Sequence, residues 1–145
     1  MALSALVSLG GMGQTSGVLA AKVGTGADRA ITQMFFDNDH YLAYIDRVRA
    51  RHIDVPIVPG IFPIHSFPAA ARFASRCGAT IPTAVAERFD GLHDDPVATH
   101  EVAIEVAAAQ ILALAEQGVE HVHIYTLNRA ELAVAVCDRL SLVTA

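Results

Sequence analysis

Two apolar runs in this chain stop abruptly at a polar side chain, and a helix start follows each at once. Ala30-Ile31-Thr32-Gln33-Met34-Phe35-Phe36-Asp37 is the first, and Tyr125-Thr126-Leu127-Asn128-Arg129 ends the second. Both are rich in β-branched and aromatic residues, which read as strands. Parallel α/β sheets set their ligand-binding groups in this way, just outside the carboxyl ends of their strands. Fold signal and site signal therefore fall on the same residues. A third informative block is Phe89-Asp90-Gly91-Leu92.

The 145 residues suit one domain. With 53% apolar and 17% charged residues, the chain is too apolar to remain disordered. Its excess of Ala, Val, Ile and Leu fits a parallel sheet covered on both faces. A net charge of −5 provides no basic footprint for nucleic acid and no polybasic stretch for anionic lipid. No run reaches the roughly 18 uninterrupted apolar residues that a bilayer span needs. The first basic residue is Lys22, so the apolar opening lacks the basic start of a secretory signal, and the expected compartment is the cytoplasm. Cys77 and Cys137 have no C-x-x-C spacing and read as small buried hydrophobes.

Residues 1–17 show neither helical periodicity nor clean alternation and are expected to be a poorly ordered lead-in to a domain over 18–145. Gly11-Met12-Gly13-Gln14-Thr15-Ser16-Gly17 has three residues, not two, before its last glycine, so it fails as a dinucleotide fingerprint. The regular pattern then predicts a helix end over 18–23, a strand over 30–36 and a helix from an Asn38 cap to about Arg51. A strand over 55–58 stops at Pro59-Gly60, and a helix runs from a Ser66 cap to Cys77, with Gly78 just beyond. A short segment over 82–89 and an acidic loop lead to an alanine-rich helix over 97–117. A strand over 121–126 precedes a final helix, with Asn128 as its cap and Glu131 completing a capping-box-like pair. Such alternation implies right-handed crossovers and a parallel sheet. Three strands cannot close a barrel, so the chain reads as part of a larger architecture.

Several polar and ring-bearing residues invite a ligand. Gln33 offers two donors and an acceptor, enough to read a flat heterocycle or a carboxamide; a buried amide satisfied by backbone is the alternative. Arg129, set against the helix dipole, points to an anionic partner such as a carboxylate; a solvated surface arginine is the alternative. Phe73 is either core or a ring face. His121 and His123 share a strand face, but two imidazoles without a carboxylate do not make a metal site.

Taken together, Ile31-Thr32-Gln33-Met34-Phe35-Phe36-Asp37, Pro59-Gly60-Ile61, Phe89-Asp90-Gly91-Leu92 and Tyr125-Thr126-Leu127-Asn128-Arg129 resemble the methylenetetrahydrofolate reductase family, from about Leu19 to Leu140. The resemblance implies a TIM barrel holding FAD noncovalently, with NADH or NADPH reducing the flavin and 5,10-methylenetetrahydrofolate then accepting the hydride to give 5-methyltetrahydrofolate. It implies that Lys22 contacts the FAD phosphates and that Gln33 contacts the pterin and the nicotinamide in turn. Phe73 and Leu127 would sandwich the p-aminobenzoyl ring or the adenine, and Arg129 would lie near the folate tail.

On the same comparison, the chain supplies an α/β fold of about the last three β/α units of the barrel. The family's catalytic glutamate has no counterpart here, so no catalytic residue is assigned. Ala69 stands where a second folate-contacting glutamine is common. Most FAD contacts are also missing, and a flavin needs both its phosphates and its ring held. The leading expectation is thus a truncated or split reductase chain for one-carbon and methionine metabolism, with little turnover alone. It would need an N-terminal barrel half or self-association. The alternatives are a non-enzymatic partial-barrel module that binds folate or flavin weakly or assembles with a partner, and the remnant of a broken gene.

Overall fold

Short apolar segments alternate with helices throughout the computed structural model, which describes residues 4–7 and 14–144. In chain order the elements are β1 (Ser4–Val7), α1 (Gln14–Gly24), β2 (Arg29–Met34), α2 (Asn38–Arg49), β3 (Ile57–Ile61), α3 (Phe67–Cys77), α4 (Thr83–Glu87), α5 (Pro96–Glu116), β4 (His123–Ile124) and α6 (Ala130–Thr144). The four strands form one parallel sheet in the order β1-β2-β3-β4. Leu6 stands opposite Ile31, Ile31 opposite Val58, and Gly60 opposite His123.

Strand order decides where the helices go. Right-handed crossovers that all step the same way along a sheet leave their helices on the same face. Burial along β2 follows this: Ala30, Thr32 and Met34 are buried, whereas Ile31 and Gln33 between them are only half-buried. Leu6, in register with Ile31, is 56% exposed. The expectation of a sheet covered on both faces is therefore corrected: among the described residues, the helices cover one. The core lies between that face and the helices, around Leu19, Tyr44, Ile61, Ile64, Leu114 and Val136. Helix α5 is long and apolar enough to cross a membrane by length and composition. Here its Ala103, Ile104, Ala107, Ile111 and Leu114 are buried in the core.

The lead-in reading of residues 1–17 is also corrected where the structure describes it. Ser4–Val7 is a strand paired to β2, and α1 begins at Gln14, so the sheet has four strands rather than three. Four residues are too few to display a period, and a strand inside a parallel sheet need not alternate. The rest of the glycine-rich stretch lies outside the described residues. Strand β3 runs through Pro59-Gly60 instead of stopping there. The β2–β3 register shifts between Ile31 and Met34, opposite Pro59, so the proline's missing N–H interrupts a ladder already broken.

Two cap assignments change as well. Asp37, not Asn38, caps α2, accepting from the Asp39 N–H at 3.0 Å, while the Asn38 amide donates to the Gln110 carbonyl at 3.1 Å. Ser66 is at the N-cap of α3 as expected but makes no side-chain cap bond, and Gly78 ends that helix at φ 71°. Cys77 is half-buried and Cys137 exposed, against the reading of both as buried.

Candidate functional site

The carboxyl ends of β3 and β4 lie side by side, and the chain leaving each carries the polar groups. Beyond β3, Phe62 acts as an aromatic hub: its ring centroid lies 6.4 Å from Phe36, 6.4 Å from His65 and 6.0 Å from Phe73. Beyond β4 the backbone turns through two consecutive left-handed residues, Leu127 at φ 44° and Asn128 at φ 63°. That conformation is disfavoured for a leucine and tends to occur where a site imposes it. It leaves Leu127 55% exposed. It also delays α6 until Ala130, which corrects the expected Asn128 cap and its pairing with Glu131. Arg129 stands immediately before the helix, its N–H donating to the Thr126 carbonyl at 2.8 Å and its carbonyl accepting from Leu132.

Phe62, Pro63, His65, Tyr125, Leu127 and Arg129 line a narrow cleft. His65 and Arg129 are shared with an adjoining cavity of about 520 Å³, walled by the start of α3, the Phe89-Asp90-Gly91-Leu92 block and the start of α5. Phe67 and Phe89 stack across this wall with centroids 5.6 Å apart. The Arg129 guanidinium has no carboxylate partner within ion-pair distance among the described residues. Burial, and secondarily the Arg129 charge, hold the His65 imidazole below its ordinary pKa. It is therefore neutral near pH 7, able to donate or accept a hydrogen bond.

Tyr125 joins the floor of this site to the rest of the sheet. Its hydroxyl reaches across β3 and donates to the Thr32 carbonyl of β2 at 2.9 Å, and burial pushes its pKa up. The ring crosses above Gly60, where an added Cβ would come within 2.6 Å of the ring and 2.3 Å of the Thr32 carbonyl oxygen. The Gly60 N–H, in turn, donates to the Thr32 hydroxyl at 2.8 Å. His123 meets the Tyr125 ring edge-on at 4.7 Å.

Of the residues singled out from sequence, Leu127 and Arg129 share the cleft with Phe62, and Phe73 packs against Phe62 from α3 without lining that cleft. Phe73 is 41% exposed, so one of its faces stays free. Gln33 lies on the uncovered face of β2, with β3 between it and the strand that leads to Leu127, and does not line the cleft. Lys22 is in the last turn of α1, where its ammonium donates to the Leu6 carbonyl. The structure does not bring it to the others. No cluster of His, Cys, Asp and Glu among the described residues could hold a metal. Sequence reasoning missed His65 and Phe62, yet the signal was present: the apolar run over 57–64 also stops at a polar residue, His65, before the cap Ser66.

Two exposed apolar faces, an unpaired guanidinium and a neutral imidazole suit a flat ring that carries an acidic tail. The family model described as methylenetetrahydrofolate reductase matches residues 12–141. The chain belongs to the methylenetetrahydrofolate reductase family. The match begins inside the stretch expected to fall outside the family. The 5,10-methylenetetrahydrofolate reductase of Escherichia coli is 44% identical over 122 residues, covering 84% of this chain and 41% of that protein. Methylenetetrahydrofolate reductase 1 of Schizosaccharomyces pombe is 34% identical, covering 86% of this chain and 21% of its own length. The chain thus spans less than half of these reductases. Among solved structures, an uncharacterised protein from Clostridium thermocellum that binds two copies of 5-methyl-5,6,7,8-tetrahydrofolic acid shares the fold. Its TM-score is 0.60 at 12% identity, over 98% of this chain and 53% of that one.

Proposed function

We propose that this chain forms the folate-side wall of a methylenetetrahydrofolate reductase, the enzyme that reduces 5,10-methylenetetrahydrofolate to 5-methyltetrahydrofolate with NADH or NADPH through FAD. The observation that supports this reading is the cleft at the strand carboxyl ends lined by Phe62, Leu127 and the unpaired Arg129, with Phe73 of α3 packed against Phe62. Phe73 and Leu127 would take the p-aminobenzoyl ring between them, and Arg129 a carboxylate of the tail. Gln33 would read the pterin edge and, in turn, the nicotinamide, from the uncovered sheet face.

FAD does not fit the described residues on their own. The one cation expected on its phosphates, Lys22, is engaged by the Leu6 carbonyl, and it stands on α1, away from the cleft. No step through the flavin is therefore assigned to this chain, and the groups that hold the flavin and protonate the folate would come from a further barrel segment. The proposed setting is the cytoplasm, with a partial TIM barrel that takes in β1 and α1 as well as the elements that follow.

Isothermal titration of the chain with 5-methyltetrahydrofolate tests the wall. Phe73→Ala, Leu127→Ala and Arg129→Gln are each expected to weaken binding about tenfold, the size of one lost ring contact or charge-assisted bond. Unchanged affinity in all three would overturn it. Purified chain is expected to be colourless and to oxidise no NADH or NADPH with menadione as acceptor. A yellow, active preparation would show that it holds flavin unaided. The occupied Lys22 favours, as a second reading, a non-enzymatic module that binds folate without turnover. Adding an N-terminal reductase half separates the two, since only the first reading gains activity.

A further inference from the structure

His65 and Arg129 are the two residues common to the narrow cleft and the adjoining cavity, so they stand where one opens into the other. Leu127 lines the cleft alone, whereas Ser66, Asp90, Thr99 and His100 line the cavity alone. A ligand whose ring is seated at Leu127 therefore enters the 520 Å³ cavity past these two side chains. The glutamate tail of a folate carries two carboxylates, and a guanidinium takes one in its fork. A second carboxylate drawn out of water needs a donor of its own. At the mouth of the cavity, the His65 imidazole is the group left to supply it.

We infer that His65 and Arg129 form a two-point clamp on a ligand tail bearing two carboxylates, and that the clamp closes with uptake of one proton by His65. This deepens the proposed function and rests on it for the identity of the tail. The clamp itself depends only on the two side chains.

The surroundings of His65 explain the proton. In the free chain, burial and then the Arg129 charge disfavour the imidazolium. A carboxylate beside them offsets the Arg129 charge and attracts a proton to the ring. The imidazolium then donates a charge-assisted hydrogen bond, roughly twice as strong as a neutral one. The proton comes from solvent. Phe62 backs the imidazole, its centroid 6.4 Å away, and leaves the ring edge to the ligand.

The other titratable groups around the site have different roles. Tyr125 faces the cleft from the end of β4, but its hydroxyl is spent on the Thr32 carbonyl and burial keeps it neutral. His93, ahead of α5, lies 2.7 Å from Asp94, and both are exposed. His100 of α5 and Asp90 line the cavity beyond the mouth. Asp90 repels a tail pushed deeper, which keeps the carboxylates at His65 and Arg129.

Proton NMR of the 145-residue chain reads His65 directly, its ring signal assigned by its disappearance in His65→Gln. The titration midpoint is expected below the ordinary imidazole value in the free chain. Millimolar glutarate, a bare dicarboxylate, should raise it by about one pH unit, and so should 5-methyltetrahydrofolate. By linkage, the affinity of the parent for 5-methyltetrahydrofolate should grow about fivefold from pH 8 to pH 6, a range in which the tail carboxylates stay ionised. In His65→Gln the affinity should stay flat across that range. Arg129→Gln should raise the midpoint of the free chain and shrink its response to either ligand. A midpoint unmoved by glutarate and by folate would overturn the clamp, whether or not the variants fold. Folate binding of equal strength at both pH values would overturn it too, and would leave the proposed function standing. A midpoint raised by glutarate in a chain that binds no folate would support the clamp and count against the folate reading instead.

Discussion

Gly60 is defined by what passes over it. Tyr125 can reach Thr32 only because position 60 has no side chain. Gly60→Ala is expected to destabilise the fold by about 2 kcal/mol, the usual cost of overpacking, since a backbone carbonyl cannot step aside as a side-chain tip can. Tyr125→Phe keeps the ring and loses one hydrogen bond, about 1 kcal/mol. Urea midpoints of the two variants give both values, and equal losses would mean that the bond, not the space, is what matters. Leu127 shows a different balance, because its backbone sits in the left-handed region that a leucine disfavours. In Leu127→Gly, relief of roughly 1 kcal/mol of backbone strain is set against a similar entropy gained by the unfolded chain. Stability should stay within about 0.5 kcal/mol of the parent while folate affinity falls about tenfold. A large loss of stability would show that Leu127 belongs to the core.

At the scale of elements, the helix starts differ in what holds them. Asp95 caps α5 through a 2.9 Å bond from the Ala98 N–H, whereas Ser66 makes no such bond at α3. Asp95→Ala should therefore cost about 1 kcal/mol in thermal unfolding and Ser66→Ala much less. Elements with a long period or strong punctuation were legible in the sequence: α3 between Ser66 and Gly78, the alanine-rich α5, and β2 with its apolar run. Those decided by distant partners were not. Nothing local shows that Asn38 is drawn to Gln110, leaving the cap to Asp37, or that Pro59 falls where the β2 ladder is already broken. The turn before α6 misled for a related reason. Asn128 carries the signature of a cap, but an asparagine also tolerates the left-handed region, and here it takes that second role.

For the whole molecule, pH acts through the site. His65 is held below the ordinary imidazole value of 6.5 by burial and then by Arg129. As pH falls, the unfolded chain takes up this proton first. The stability owed to a neutral His65 is thus complete above 6.5 and is lost as pH drops towards its lower folded value. Urea midpoints measured from pH 7 to pH 5 should fall, and His65→Gln should flatten that part of the curve. An unchanged slope in the variant would assign the effect to another group. His65 also marks how far the site could be read in advance. Gln33, Phe73, Leu127 and Arg129 stand in blocks that read locally as strand ends or ring faces, but which of them meet depends on neighbouring strands. The sheet places β3 between β2 and β4, which separates Gln33 from Leu127 and Arg129 and puts His65 beside them.

The sequential order of the sheet has one more consequence. Among the described residues, each strand bonds only to its neighbours in chain order, so none of these units waits for a distant segment to arrive. Each β/α unit emerging from the ribosome can dock on its predecessor and become the template for the next. A gene encoding such a fold can gain or shed units at either end without rerouting those that remain, and a shortened copy keeps its register.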